Sequence, residues 1–199
     1  RIQAVRGGLE LVHPMTKRRA DLLQQKAGML IRNDRLDDAK SIFEELERNF
    51  PDEIAYKNNT AFTDLLLNDY IGGEKKARDA LSLKPDDPVA LCNLVTALYM
   101  AGKRAELKEY AEILAKCETE EPVEIFKIAT TFCEIKFDEE AFIWLEKLLK
   151  SSPYELDMLF LYGFAAFNCG KYEKFEEALT DITTIDESNA VAWFYRKFM

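Results

Sequence analysis

The sequence predicts an all-α protein, a solenoid of about five repeated helix pairs with a partial sixth. Three prolines carry the first observation, because Pro51, Pro85 and Pro153 lie 34 and then 68 residues apart. Unrelated helices would not keep such a spacing, which is typical of repeat proteins. The second observation is that apolar residues between the prolines recur at helical spacing, while glycine and proline are sparse.

The clearest unit is residues 122–155, which contains two amphipathic helices. In the first helix, positions i, i+3, i+4 and i+7 share one apolar face and are Ile125, Ile128, Ala129 and Phe132. Pro122 suits the first turn of that helix. The second helix is predicted to begin near Asp138 and to bury Ala141, Leu145 and Leu148.

The same period divides most of the chain. The predicted units are 20–53, 54–87, 88–121, 122–155 and 156–189, with a partial unit at 190–199. An eleventh helix is expected to begin at Ala190. Residues 1–19 do not fit the period, so we expect an irregular N-terminal extension or a partial helix there, with Thr16 capping the next helix. The chain starts at Arg1 rather than Met and is expected to be part of a longer protein.

Two units depart from the common pattern. The pair Gly72-Gly73 is predicted to interrupt the turn in the second unit and to shorten its second helix, since glycine disfavours helix interiors. In the third unit, Leu107 and Thr119 stand where other units have alanine and proline. We therefore expect that helix pair to be packed more widely.

The repeating pattern resembles the tetratricopeptide (TPR) repeat, in which a small residue is followed by an aromatic or leucine and then by a closing proline. Ala39, Phe43 and Pro51 show this order in the first unit, and Ala141, Leu145 and Pro153 show it in the fourth. The resemblance implies a right-handed superhelix of stacked helix pairs. It also implies a concave groove lined by the first helix of each pair.

Carried over to this sequence, the TPR groove is rich in aromatic side chains. The groove residues implied by the resemblance are Asn58, Phe62, Thr96, Tyr99, Phe126, Thr130, Phe160, Phe164 and Phe167. These rings either contact a protein partner or pack on the following repeats or on a second copy of the chain. We favour the partner for Phe62, Tyr99, Phe126 and Phe164.

Composition excludes several functions. The formal charge of −9 repels phosphate backbones, so nucleic acid is not an expected partner. The longest strongly apolar run, residues 158–167, is too short to span a bilayer, so membrane insertion is not expected. Four cysteines without disulfide or zinc spacing indicate reduced thiols and a cytoplasmic protein. His13 is the only histidine, and no catalytic or phosphate-binding motif occurs, so we expect neither an enzyme nor a cofactor.

The sequence thus predicts a non-enzymatic scaffold or adaptor that binds a peptide or an apolar helix in its concave groove. An alternative is that the chain is a regulatory or dimerising TPR domain of a larger enzyme or transcription regulator. A homodimer through the apolar C-terminal half is a further possibility that the sequence leaves open.

Overall fold

The computed structural model describes residues 2–5, 8–11, 15–151 and 155–198. Side-chain surroundings are described for residues 15–151 and 155–197. His13 and Pro153, which the sequence analysis singled out, lie outside the described residues. The chain divides into two compact units, Arg1–Ala97 (unit 1) and Leu98–Met199 (unit 2).

Unit 1 begins with an antiparallel hairpin, in which β1 (Ile2–Val5) pairs with β2 (Gly8–Leu11) and Val5 lies opposite Gly8. The sequence predicted an irregular extension or a partial helix here, and the hairpin corrects that prediction. Its signal was present in the sequence, because two short apolar stretches separated by two residues including a glycine are typical of a hairpin.

The described residues form eleven α-helices, and the first helices of successive pairs begin 34 residues apart from Ile54 onward. The helices of unit 1 are α1 (Lys17–Arg32), α2 (Leu36–Asn49), α3 (Ile54–Leu66) and α4 (Tyr70–Leu83). Helix α5 (Pro88–Met100) contains the boundary between the two units. The helices of unit 2 are α6 (Arg104–Ala115), α7 (Pro122–Glu134), α8 (Asp138–Leu149), α9 (Leu156–Asn168), α10 (Tyr172–Ile185) and α11 (Ala190–Phe198).

In the described residues, a residue with left-handed backbone follows the first helix of each pair, from α1 to α9. The five residues are Asp34, Asn68, Gly102, Lys136 and Gly170, with φ between 58° and 73°. They lie 34 residues apart along the chain. A left-handed residue lets the chain leave one helix and enter the next within a few residues. Three of the five carry a side chain, which is unfavourable in this conformation.

The start and core of unit 1 follow the predicted pattern. Thr16 caps α1 as expected, because its hydroxyl oxygen accepts a hydrogen bond from the Arg19 backbone N–H at 3.3 Å. Behind this cap lies a core of small, aliphatic and aromatic side chains. The buried members are Ala20, Ala27, Leu30, Ala39, Phe43, Leu46 and Tyr56.

The prediction that Gly72-Gly73 shortens the second helix of its pair is wrong. Helix α4 runs for 14 residues from Tyr70, and both glycines lie in its first turn. Asp69 caps this turn by accepting a hydrogen bond from the Gly72 N–H at 2.9 Å. A Cβ added at Gly73 would lie 2.9 Å from Leu65 Cδ2. The glycines therefore allow α4 to approach α3 closely.

Unit 2 buries the residues predicted for α7 and α8, including Phe132, Ala141 and Leu145. At its C-terminal end Phe175 takes the place of a small residue, and Gly163 compensates for it. A Cβ added at Gly163 would lie 3.2 Å from Phe175 Cδ2 and 3.3 Å from Ala178 Cβ. The bulky ring is therefore accommodated by a glycine on the neighbouring helix.

Candidate functional site

Asn58, a predicted groove residue of unit 1, is buried and serves the fold. Its side chain is 6% exposed, and its Nδ2 donates a hydrogen bond to Asp87 Oδ1 at 2.9 Å. Asp87 Oδ1 also accepts a hydrogen bond from the Ala90 N–H at the start of α5. The backbone oxygen of Asn58 accepts from Asn93 Nδ2 at 3.0 Å. Asn58 therefore links α3 to α5 and does not line an open groove, which corrects the sequence interpretation.

The other predicted groove residues of unit 1 are half-buried. Phe62 lies on α3 and Thr96 on α5, and each shows part of its side chain to solvent. Neither lines the polar cavity formed by α1, whose residues include Asp21, Gln24, Gln25 and Arg32.

Phe160 and Phe164 pack inside unit 2. The Phe164 ring lies 5.8 Å from the Phe175 ring and 5.3 Å from the Tyr195 ring, measured between centroids. Phe160 lies 6.4 Å from Phe164, and both rings contact the core that includes Phe175. Our preference for a partner contact at Phe164 is thus contradicted by its packing on its own and the following repeat. The TPR pattern gave the face on which Phe164 lies. It did not show that Phe175 and Tyr195 pack against the same ring.

Phe167 is intermediate between the two interpretations. Its ring lies 5.2 Å from Phe175 and 5.5 Å from Tyr172, yet much of its surface remains exposed. It supports the aromatic packing at the end of α9 and still offers one face to solvent.

Phe126 remains largely free of this packing. It is 42% exposed, and its neighbour on the same face of α7, Val123, is 79% exposed. The hydroxyl of Thr130, one turn further along, donates to the Phe126 backbone oxygen at 2.9 Å. That hydroxyl is therefore satisfied within the helix. The face formed by Val123 and Phe126 at the start of α7 is exposed and apolar.

Val123 and Phe126 lie at an apolar cavity of about 300 Å³, which we call the α7 cavity. It is formed by the starts of α7 and α9 and the end of α8. Its lining residues are Pro122, Val123, Phe126, Leu148, Glu155 and Met158. The sequence analysis identified Phe126 from the TPR pattern but missed Val123 and Met158.

A second cavity of unit 2, of about 730 Å³, lies where helix turns of consecutive pairs meet, and we call it the turn cavity. Its lining residues are Tyr99, Met100, Gly102, Arg104, Leu107, Lys108, Ile135 and Phe137. Tyr99 was a predicted groove residue. Ile135 and Phe137 were missed, although two apolar residues flanking Lys136 in a turn are a visible signal. Leu107 lines this cavity at the position where the sequence predicted wider packing.

The comparison with protein families identifies the chain. Residues 22–143, more than half of the chain, match the sequence profile of the coatomer epsilon subunit. The chain belongs to the coatomer epsilon subunit family. No curated protein matches this epsilon-subunit family member directly.

Solved structures similar to this coatomer epsilon family member are TPR proteins. TTC0263, a thermophilic TPR protein from Thermus thermophilus, has a TM-score of 0.62 at 12% identity, covering 88% of this chain and 96% of its own. PilW, a type IV pilus biogenesis factor, has a TM-score of 0.63 at 16% identity, covering 87% and 80%. YrrB, a TPR protein with an unusual peptide-binding site, has a TM-score of 0.55 at 14% identity, covering 89% and 92%. These likenesses confirm the all-α TPR solenoid.

Two cysteine thiols in this coatomer epsilon family member have raised pKa values, which lowers their reactivity. Burial, reinforced by the charge of Asp138, raises the pKa of Cys133 to about 11, so its thiol is protonated at neutral pH. Burial likewise raises the pKa of Cys169. Cys92 is fully buried. Among the described residues, the four cysteines form no disulfide.

Among the described residues, no group of three or more His, Cys, Asp or Glu side chains is arranged to hold a metal ion. None of the described helices combines the length and apolar character needed to cross a membrane.

Proposed function

We propose that this chain is a non-enzymatic protein-binding scaffold that joins other proteins of a coatomer assembly through the α7 cavity. The observation that carries the proposal is the exposed pair Val123 and Phe126 beside that cavity. Covering an exposed apolar pair with a partner removes apolar surface from water, which favours binding. The family supports this function, since its name describes a subunit of a larger protein assembly.

The partner group that fits the α7 cavity is an apolar side chain on a peptide or helix. The cavity wall is formed by proline, valine, phenylalanine, leucine and methionine, with Glu155 as its one charged residue. Two exposed residues three apart on α7 suit a helix or an extended segment laid along that face. The contact thus adds a partner to a face that the packing of the described residues leaves open.

The scaffold is proposed to act in the cytoplasm and without catalysis. Cysteines that form no disulfide among the described residues, together with the coatomer family, support a cytoplasmic location. The half-buried thiols with raised pKa values support binding rather than thiol catalysis.

The test compares two charge insertions on neighbouring helices. Phe126→Glu places a carboxylate in the α7 cavity, whereas Ile143→Glu changes a residue of α8 that is 62% exposed and lies outside the cavity lining. Tagged chains are incubated with cytosol, and coatomer subunits are quantified by mass spectrometry. We expect Phe126→Glu to lose them and Ile143→Glu to retain them, with unchanged circular dichroism. Equal recovery by wild type and Phe126→Glu would refute the proposal.

A homodimer through the C-terminal half stays a separate proposal. Phe194 on α11 is exposed and is the residue to change there. Light scattering of wild type and Phe194→Glu decides it, because a dimer through this face would dissociate in the variant and a monomeric wild type would contradict it.

A further inference from the structure

We propose that the turn cavity binds an acidic amphipathic segment of a protein partner, whose apolar side chains enter the cavity while its carboxylates pair with Arg104 and Lys108. This inference rests on the proposed scaffold function and adds the chemistry of one partner. It concerns a cavity distinct from the α7 cavity, since the two share no lining residue.

The floor of the turn cavity is apolar and is formed by buried side chains. Leu107 and Ile135 are buried in the unit, and each presents part of its side chain to the cavity. Tyr99 and Met100 are exposed at the cavity and end the helix α5. Gly102 adds no side chain, and a Cβ built there would meet nothing within 4 Å, so the space beside it is open. A volume of about 730 Å³ accommodates more than one apolar side chain.

Two cations lie at this apolar floor. Arg104 and Lys108 both line the cavity from α6, where a spacing of four residues puts them on the same side of the helix. Both side chains are exposed, and within the described residues neither forms an ion pair. Glu106 lies between them in sequence, but its position is rotated about 200° from each, away from the cavity side.

The chain is acidic overall, with a net charge of −9, so two cations at one cavity differ in sign from the chain as a whole. Elsewhere in unit 2, Lys147 pairs with Glu120 at 2.9 Å and Lys174 pairs with Glu177 at 2.7 Å. At the turn cavity the cations are left for an external anion. Charge complementarity therefore selects a segment that presents carboxylates beside its apolar residues.

The occupant is a protein segment rather than nucleic acid. The acidic chain as a whole repels a phosphate backbone, and two cations are too few to reverse that field. A short amphipathic helix needs only a local patch of this size, with leucine or phenylalanine in the cavity and glutamate or aspartate one turn away. The turn cavity supplies both halves of that pattern.

The probe is a short helical peptide with leucines one turn apart and glutamates beside them. A second peptide has each glutamate replaced by lysine. Binding of both to the 199-residue chain is measured by fluorescence anisotropy. Wild type is compared with the double variant Arg104→Glu/Lys108→Glu and with Lys116→Glu, a matched control at the other end of α6 that lies outside the cavity.

We expect wild type and Lys116→Glu to bind the glutamate peptide. The double variant should bind it roughly tenfold more weakly and should prefer the lysine peptide, since two attractive pairs become repulsive. Met100→Glu, made in the otherwise unchanged chain, should weaken binding of the glutamate peptide, because it places a negative charge among the apolar lining. Circular dichroism verifies the fold of each variant.

Three outcomes overturn the inference. The first is no binding of the glutamate peptide to wild type, and the second is equal binding by wild type and the double variant. The third is displacement of the peptide by a second copy of the chain or by dodecanoate, which would assign the cavity to self-association or to a fatty acid.

Failure here is distinguishable from failure of the scaffold function. If coatomer subunits are lost with Phe126→Glu but the peptides do not bind, the scaffold stands and the turn cavity has another role. If the peptides bind with the expected charge dependence but Phe126→Glu recovers coatomer normally, the α7 contact is refuted and the turn cavity remains a protein-binding site.

Discussion

Lys76 donates hydrogen bonds from Nζ to both carboxylate oxygens of Glu47, at 2.8 and 2.9 Å, and so connects α4 to α2. Lys57 on α3 lies 3.4 Å from the same carboxylate. The Glu47 side chain is only 13% exposed. Burial pushes the pKa of Glu47 upward, but the two lysines lower it by more, so the pKa ends below its ordinary value of 4.5. Three helices of unit 1 thus share one ionised carboxylate.

This carboxylate makes unit 1 sensitive to acid. Because the pKa of Glu47 is lower in the folded chain, its contribution is fully present above the ordinary value of 4.5 and is lost as pH falls through the folded pKa. Glu47→Gln should flatten the decline of the free energy of unfolding between neutral pH and about pH 3. Urea unfolding at a series of pH values measures this.

A control carboxylate and the buried Asp64 help to interpret the acid experiment. Asp52→Asn, which changes an exposed turn carboxylate, is the matched control. Asp64 acts in the opposite direction, because burial raises its pKa despite the Lys40 ammonium 2.6 Å away, and its contribution is lost as pH rises. A profile for Glu47→Gln as steep as that of wild type would contradict the role assigned to Glu47.

Gly73 and Gly28 should respond oppositely to alanine. At Gly73 the new Cβ would lie 2.9 Å from Leu65 Cδ2 and 3.3 Å from the Ala61 backbone oxygen, so Gly73→Ala should cost about 1–3 kcal/mol. At Gly28, inside α1, a Cβ meets nothing within 4 Å, so Gly28→Ala should stabilise the chain by about 0.5–1 kcal/mol. Denaturant midpoints of the two variants measure both, and the same sign for both would contradict the close approach of α3 and α4.

The sequence predicted the helices well and the roles of several side chains poorly. The helical period is a local property that one stretch such as residues 122–155 already shows. Asn58 instead depends on Asp87, 29 residues away, whereas its TPR position alone placed it in the groove. Phe164 depends on Phe175 and Tyr195, which belong to other helices. A pattern gives the face on which a residue lies, but burial depends on what the neighbouring elements place there.

Lys136 should gain from replacement by glycine. Its φ of 63° is left-handed, in a turn where Gly102 and Gly170 occupy the equivalent places with φ of 70° and 73°. A side chain in this conformation costs about 1–2 kcal/mol, partly offset by the greater freedom of glycine in the unfolded chain. Lys136→Gly should therefore raise the free energy of unfolding by up to about 1 kcal/mol.

The reverse substitution provides the control for the turn. Gly102→Ala should lower the free energy of unfolding by about 1 kcal/mol, although its Cβ would meet nothing within 4 Å, because the cost is in the backbone alone. Thermal unfolding compares the two variants with wild type. A stabilising Gly102→Ala would show that the left-handed backbone at these turns is not what the fold requires.

Phe164 and Phe126 separate rings that hold the fold from rings that remain for a partner. Phe164 packs on Phe175 and Tyr195, so Phe164→Ala should lower the free energy of unfolding by about 2–3 kcal/mol, less than a fully buried phenylalanine would cost. Phe126 is 42% exposed beside an open cavity, so Phe126→Ala should cost less than about 1 kcal/mol. Urea unfolding followed by circular dichroism measures both. Similar losses for the two variants would mean that Phe126 is also a structural ring, and the partner contact would then have to be sought away from α7.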